Sequence, residues 1–392
     1  MTAVMVEPAM PIVQHGFDLP AGSSVGPYWT KTGTSDIGIS AAGMLAVIGT
    51  TVGRRAVVHL EQAATAAHWV ELTVGTAPNN TAGSGALLRC NVGMTQMVLL
   101  TVSAGAWSIG RITGINGTFT LIGSYSTTIA LNDVVRVSVD EYSVYRVYIN
   151  GQRSGPAFRD TTWADSSHRY RGAWIQYTSG TSGANLDNFV SGDTPPLTLV
   201  DSDTFSQPTL VGWTTSGGGT LYVQGGEISG VGTPSEPVSF AHRPALPGYP
   251  RIMVARMQIR WNGRNPLHSA TSVCIRASLA NNHTGVHFWT VANQAGIAIY
   301  DPSYPDGFLP ATGTPAGTPI TKWADSAMME IRGEGTHFSA AVDHNPVLWG
   351  TYTEAQAPLL YLQHGVQIQD DSAVSGGGEP PANGDNYQLL VA

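Results

Sequence analysis

Two aspartates in similar settings are the first candidates for chemistry: Asp187 in "LDNFV" (186–190) and Asp385 in "GDNYQ" (384–388). Each is followed by Asn and then by an aromatic, Phe189 or Tyr387. Glycoside hydrolysis needs two carboxylates facing each other across about 5–9.5 Å. On a strand that means acids at i, i+2 or i, i+4, because neighbours point to opposite faces. Neither aspartate has such a partner. Asp140 and Glu141 in "VDEY" are adjacent, so they point apart, and they read as a solvated turn. His283 and His287 in "HTGVH" are spaced i, i+4. A metalloprotease helix, however, carries His-Glu-x-x-His, and this stretch reads as a loop entering a strand. The histidines of "HRP" (242–244) and "DHNP" (343–346) stand alone at turns. The sequence shows no Gly-x-Ser-x-Gly elbow, phosphate loop or dinucleotide fingerprint. Its glycine-rich stretches, "SGGGT" (216–220) and "GGGEPPANGDN" (376–386), precede strands rather than a helix N-terminus. The expectation is a protein that is not an enzyme, with no catalytic residues, metal ligands or cofactor.

Binding chemistry is a separate question. The most site-like segment is "YDPSYPDGFLP" (300–310), with Trp323 beyond it. There Tyr300, Tyr304 and Trp323 could stack a sugar while Asp301 and Asp306 accept hydroxyl protons or ligate calcium. The plain alternative is a proline-braced surface loop, or a contact with a neighbouring protein. The other tryptophans read as packing: Trp29 and Trp213 occupy corresponding places, and Trp107, Trp174 and Trp289 lie within strands.

The elements that must carry these residues follow from composition and pattern. The chain has 392 residues, 42% hydrophobic and 12% charged, with 46 Gly and 24 Pro. That describes folded domains dense in turns, favouring short strands over helices. Residues 1–198 carry 11 basic and 12 acidic side chains, and 199–392 carry 8 and 15, for net charges of −1 and −7. Neither half has the basic footprint of a nucleic-acid binder. Only Lys31 and Lys322 are lysines, a bias that a GC-rich genome produces. Cys90 and Cys274 sit in different halves and read as buried small hydrophobes rather than a disulfide framework. No run of about 18 apolar residues suggests membrane insertion. The first residues lack the pattern of a signal peptide, so the expectation is synthesis and folding in a cytoplasm.

The chain is built twice. Phe17, Trp29 and Gly43 find counterparts in Phe205, Trp213 and Gly226; "LLTVSAGAWSI" (99–109) answers "FWTVANQAGIAI" (288–299); "RGAWIQ" (171–176) answers "HGVQIQ" (364–369). The two Asp-Asn-aromatic motifs complete the series. Within each copy, period-two patterns such as Met253, Ala255, Met257 and Ile259 against Arg256, Gln258 and Arg260 mark half-buried antiparallel strands. Asn150-Gly151 marks a hairpin turn. The fold expected is all-β: two tandem antiparallel β-sandwiches of the jelly-roll type, at 15–193 and 201–392. They are separated by a proline-bearing linker at 194–200 and preceded by a segment, 1–14, that could add a strand. Asp187, Phe189, Asp385 and Tyr387 are then structural: the aromatics dock the last strand of each sandwich while Asp and Asn tie down the turn before it.

The order of these landmarks, an opening aromatic, "GPYW" or "VGWT", a strand pair closing on Asn-Gly, then Gly-x-x-Ile and Asp-Asn-Phe, resembles the concanavalin A-like (laminin G-like) modules of actinobacteriophage minor tail proteins. The resemblance covers 15–193 in full and 200–392 more loosely. It implies a virion component at the distal tail, assembled in the host cytoplasm, with other tail proteins as partners and homo-oligomerisation expected by analogy. It also implies tail assembly or contact with the host surface, with envelope glycan as a candidate ligand. The rival reading is a lectin-like or glycan-cleaving protein.

Overall fold

The computed structural model describes residues 12–33, 36–232, 238–248, 250–278, 284–300, 308–313, 318–370 and 379–392. The regular elements among them are strands, and every strand pairing is antiparallel. The chain divides into two compact units, Met1–Pro196 and Leu197–Ala392. Each unit is a sandwich of a nine-stranded and an eight-stranded sheet. Val13–His15, which begins in the segment 1–14 set apart as N-terminal, pairs with Leu186–Asp193 as part of the first unit. The segment read as linker is shorter than 194–200, because Thr198–Asp203 already pairs with Asn383–Val391 in the second unit.

Seven strands in each of the two eight-stranded sheets have the same order, the eighth pairing with Tyr170–Thr178 in one and with Gln294–Tyr300 in the other. In the first unit it runs Phe119–Ser126, Ala106–Thr113, Gln96–Ser103, Ser84–Cys90, Tyr170–Thr178, Gly53–His59, Trp29–Gly33. In the second it runs Phe308–Pro310, Gln294–Tyr300, Thr284–Thr290, Ala270–Ser278, Gln363–Gln369, Val238–Arg243, Thr214–Gly217. Alternate residues of these strands face the nine-stranded sheet and form the core. In the first unit Val57, Leu88, Leu100, Ile109 and Ile175 meet Val70, Leu72, Val137 and Leu186. In the second, Val273, Ile275, Phe288, Ile297 and Ile368 meet Met253, Ala255, Met257 and Ile331. The face of Met253, Ala255, Met257 and Ile259 read from the sequence is the one in the core, although Val254 and Arg256 of the other face are buried too.

The Asp-Asn-aromatic motifs lie inside the last strands rather than at a turn before them. Four residues of one strand, Asp187 to Val190, lie opposite three of the other, Thr73 to Glu71. Asp385 to Gln388 likewise span Gln258 to Arg256. Each is a β-bulge whose extra residue leaves the regular ladder. Asn188 and Asn386 take φ of 47° and 48°, a left-handed conformation that asparagine tolerates better than most residues. The preceding carboxylate accepts the Asn N–H, at 2.8 Å from Asp187 and 2.7 Å from Asp385. The bulge turns Phe189 and Tyr387 wholly inward. Their rings meet Trp29 and Trp213 edge-on at 4.9 and 5.2 Å, and Phe17 and Phe205 complete the clusters. Asp385 also accepts from Arg260, at 2.8 Å from Nη2.

Several histidines are buried among these layers. Burial, aided by neighbouring arginines, pushes His68 and His364 down to about 3, and burial does the same to His287. In the unfolded chain each titrates near 6.5. Between those values the unfolded state binds more protons, so the stabilisation is complete above pH ~6.5 and is lost as pH falls toward ~3. Denaturant titrations should show an unfolding free energy, and with it a midpoint, that declines steadily from about pH 6.5 to pH 4, the free energy by up to ~1.4 kcal/mol per unit for each histidine. A midpoint that stays flat over that range would contradict the burial of these rings.

Candidate functional site

The outer face of each eight-stranded sheet, the one turned away from the core, is where the two units part company. Register fixes the correspondence. Gly172 sits opposite Val58 and Leu87, as Gly365 sits opposite His242 and Cys274. A Cβ on either glycine would lie within 2.0 or 2.1 Å of a carbonyl oxygen on the next strand, so both positions are fixed landmarks. Counting outward, Ala56, Val58, Leu87, Leu99 and Trp174 of the first unit correspond to Phe240, His242, Cys274, His287 and Gln367 of the second. Gly85 and Thr101 correspond to Ser272 and Trp289.

In the first unit this face is filled by its own side chains. Ala56, Val58, Leu87, Met97, Leu99, Ile112 and Trp174 form a second buried apolar cluster, with Phe119 and Tyr170 against it. The Trp174 indole N–H donates to the Leu100 carbonyl at 2.8 Å. The indole is 1% exposed.

In the second unit the face holds a cavity of about 240 Å³. Its floor is Ser272 and Gln367, both almost fully buried. One wall is Trp289, with Val291 and Gln294 from the hairpin that follows; Ala270, Gln369 and the loop residues Leu267 and His268 close the rest. Among these nine residues there is no carboxylate, ammonium or guanidinium group.

Two details give this cavity binding capacity. Trp289 stands opposite Gly296 in the ladder, and a Cβ there would come within 2.6 Å of the indole. The ring therefore lies down on a glycine. Trp69 on the first unit's nine-stranded sheet lies on Gly192 in the same way, but the Arg136 guanidinium covers its other face at 4.4 Å. No ring or cation among the described residues covers Trp289. The second detail is Gln367. Its Oε1 accepts from Ser272 Oγ at 3.2 Å, while Ser272 also lies 3.1 Å from His287 Nδ1. The other end of the amide makes no hydrogen bond to a protein group among the described residues. Because the two ends of a glutamine amide are assigned from such contacts, the conclusion holds either way round: one polar end is held and the other is offered to the cavity. Burial keeps His287, behind the floor, neutral.

The residues singled out from the sequence are not gathered here. Asp301, Tyr304 and Asp306 lie outside the described residues. Tyr300 ends the strand Gln294–Tyr300 on the outer face, edge-on to Phe240 at 4.9 Å. Trp323 lies on the core side, 5.7 Å from Phe288. Tyr300 and Trp323 thus belong to opposite faces of one sheet and do not form a single binding platform. Trp289, read from the sequence as packing, is instead the wall of the cavity. Its signal was the polar alternation of Gln367 and Gln369 in "GVQIQ" together with a glycine, Gly296, on the strand facing it. No three His, Cys, Asp or Glu side chains converge as metal ligands among the described residues.

No protein-family model matches the chain, and no curated protein matches it. Solved structures similar to it include the carbohydrate binding module CBM66 from Bacillus subtilis, at 13% identity over 41% of this chain and 91% of that one, TM-score 0.32. The Emp47p carbohydrate recognition domain is similar at 10% identity over 46% and 97%, TM-score 0.30. So is a carbohydrate esterase from the Shiga toxin-encoding bacteriophage phi24B, at 12% identity over 50% and 99%, TM-score 0.31. At such identities the similarity is one of fold alone.

The contrast between the two faces can be measured. Trp174→Ala should destabilise the protein by about 3–5 kcal/mol, the usual result of emptying a buried tryptophan site. Gln367→Ala should cost only about 1 kcal/mol, the worth of its hydrogen bond to Ser272. Chemical denaturation of the two variants should separate them clearly, and equal losses would mean that the second face is packed like the first.

Proposed function

We propose that the protein is a non-enzymatic binding component of a phage virion, placed at the distal tail, whose second unit holds an uncharged glycan of the host surface. The observation that carries this reading is the uncovered Trp289 ring beside the half-engaged Gln367 amide, in a cavity lined without formal charge. A sugar ring has an apolar face for an aromatic and hydroxyls that both donate and accept. Glutamine and serine side chains do the same. An uncharged lining also lacks the paired carboxylates of glycoside hydrolysis, which supports binding without cleavage.

The tail placement rests on the sequence resemblance of the tandem landmarks to actinobacteriophage minor tail modules, and it gives the site a use. One shallow sugar contact is weak. Presented in several copies on an oligomeric tail, it gains effective concentration, and avidity can exceed the single-site affinity by about 10²–10⁴. The first unit, its corresponding face filled, serves as scaffold and as a surface for other tail proteins.

Cell-wall pull-down or a glycan array with the full chain tests the binding. Trp289→Ala should weaken capture about ten-fold or more while the thermal midpoint stays near that of the parent. Undiminished capture by the variant would remove this site from the function. Antibody labelling of intact particles should decorate the tail tip, and label on the capsid or on no particle would overturn the placement.

A further inference from the structure

Resting on the glycan reading, we infer that the sugar this cavity takes is a neutral N-acetylhexosamine residue. Trp289 accounts for one apolar face of a pyranose ring. It leaves Leu267, Ala270 and Val291, three apolar side chains on the same cavity. A plain hexose carries only hydroxyls on its rim, and burying those against aliphatic groups without partners is unfavourable. An acetamido methyl fits such a surface. Behind the methyl, the acetamido group presents one N–H and one C=O, the pairing that a glutamine amide matches. The open end of Gln367, on the floor, takes one of these, and Gln294, exposed at the hairpin, is placed to meet hydroxyls.

Charge narrows the choice further. The cavity lining offers no ammonium or guanidinium to a uronic or sialic carboxylate, its one imidazole, His268, being exposed, and no carboxylate to the ammonium of a free hexosamine. An unpaired charge brought against this lining loses hydration with nothing in return. Size sets the limit in the other direction: about 240 Å³ is the share of about eight liquid waters at ~30 Å³ each. That suits one ring with a small substituent rather than a disaccharide.

The test is ligand titration of the full chain, followed by NMR, with N-acetylglucosamine, N-acetylgalactosamine, glucose, galactose, glucosamine and glucuronic acid. One of the two N-acetyl sugars should bind about ten-fold or more tightly than its parent hexose, the discrimination that one apolar group in a pocket provides. Glucosamine and glucuronic acid should bind more weakly than the N-acetyl sugar. Leu267 is 50% exposed on the rim, so Leu267→Ser should shrink the preference without moving the thermal midpoint. N-acetyl sugars and parent hexoses binding alike, or a preference untouched by Leu267→Ser, would overturn the N-acetyl assignment and leave the glycan reading standing. If no glycan binds on a broad array or in host-wall pull-down, the glycan reading falls and this inference with it.

Discussion

A β-strand turns successive side chains to opposite faces, and most of what distinguishes the two halves of this protein follows from that constraint. The core-facing set of each eight-stranded sheet is bound to match the sheet packed upon it. In both units it is aliphatic or aromatic: Val57, Leu88 and Ile175 in one, Ala241, Ile275 and Ile368 in the other. The set between them answers to no partner layer. Once the chain exists in two copies, that set can change in one copy while the fold stays put. In the first unit it became a second apolar cluster around Trp174. In the second it became Phe240, His242, His287, Ser272, Gln367 and Trp289, with a cavity among them.

The fixed parts of the repeat lie where the backbone departs from regularity. Two bulges recur in each unit. One holds Asn188 or Asn386. The other holds a fully buried arginine at positive φ, Arg89 at 43° and Arg276 at 51°. Arg89 lies over the Tyr145 ring at 5.5 Å and donates to Ser143 at 3.1 Å. Arg276 lies over Phe338 at 5.0 Å and donates to the Gly335 carbonyl. A buried guanidinium needs acceptors for its donors, and here the bulge brings carbonyl and hydroxyl oxygens from across the sandwich within reach. Such sites resist drift because backbone conformation, ring and cation must change together.

Much of this was legible in the sequence, and the reasons for the rest are physical. Period-two alternation announced strands, and landmarks at a steady offset announced duplication. Asn150-Gly151 announced a turn that the structure contains, with φ of 52° and 76°. The inward packing of the aromatics in the Asp-Asn-aromatic motifs was readable. That the motifs are bulges was not, because an extra residue is defined only by the partner strand's register. "LLRC" and "CIRA" hid the arginine bulges for the same reason. The loop at 300–310 attracted notice by composition, which says nothing about which face a side chain takes; alternation sends Tyr300 outward, while Trp323 packs inward on Phe288. Trp289 read as packing because a tryptophan in a strand is usually core. Only the glycine across from it shows that it lies flat on the outer face.

The absence of formal charge from the cavity lining has a bearing on where such a contact works. Attraction between ions is screened by salt over about 10 Å at 0.1 M, and less far as salt rises. Contacts made by stacking and amide hydrogen bonds carry no such dependence. A ligand held in this cavity as proposed would keep its affinity in brine and in fresh water alike.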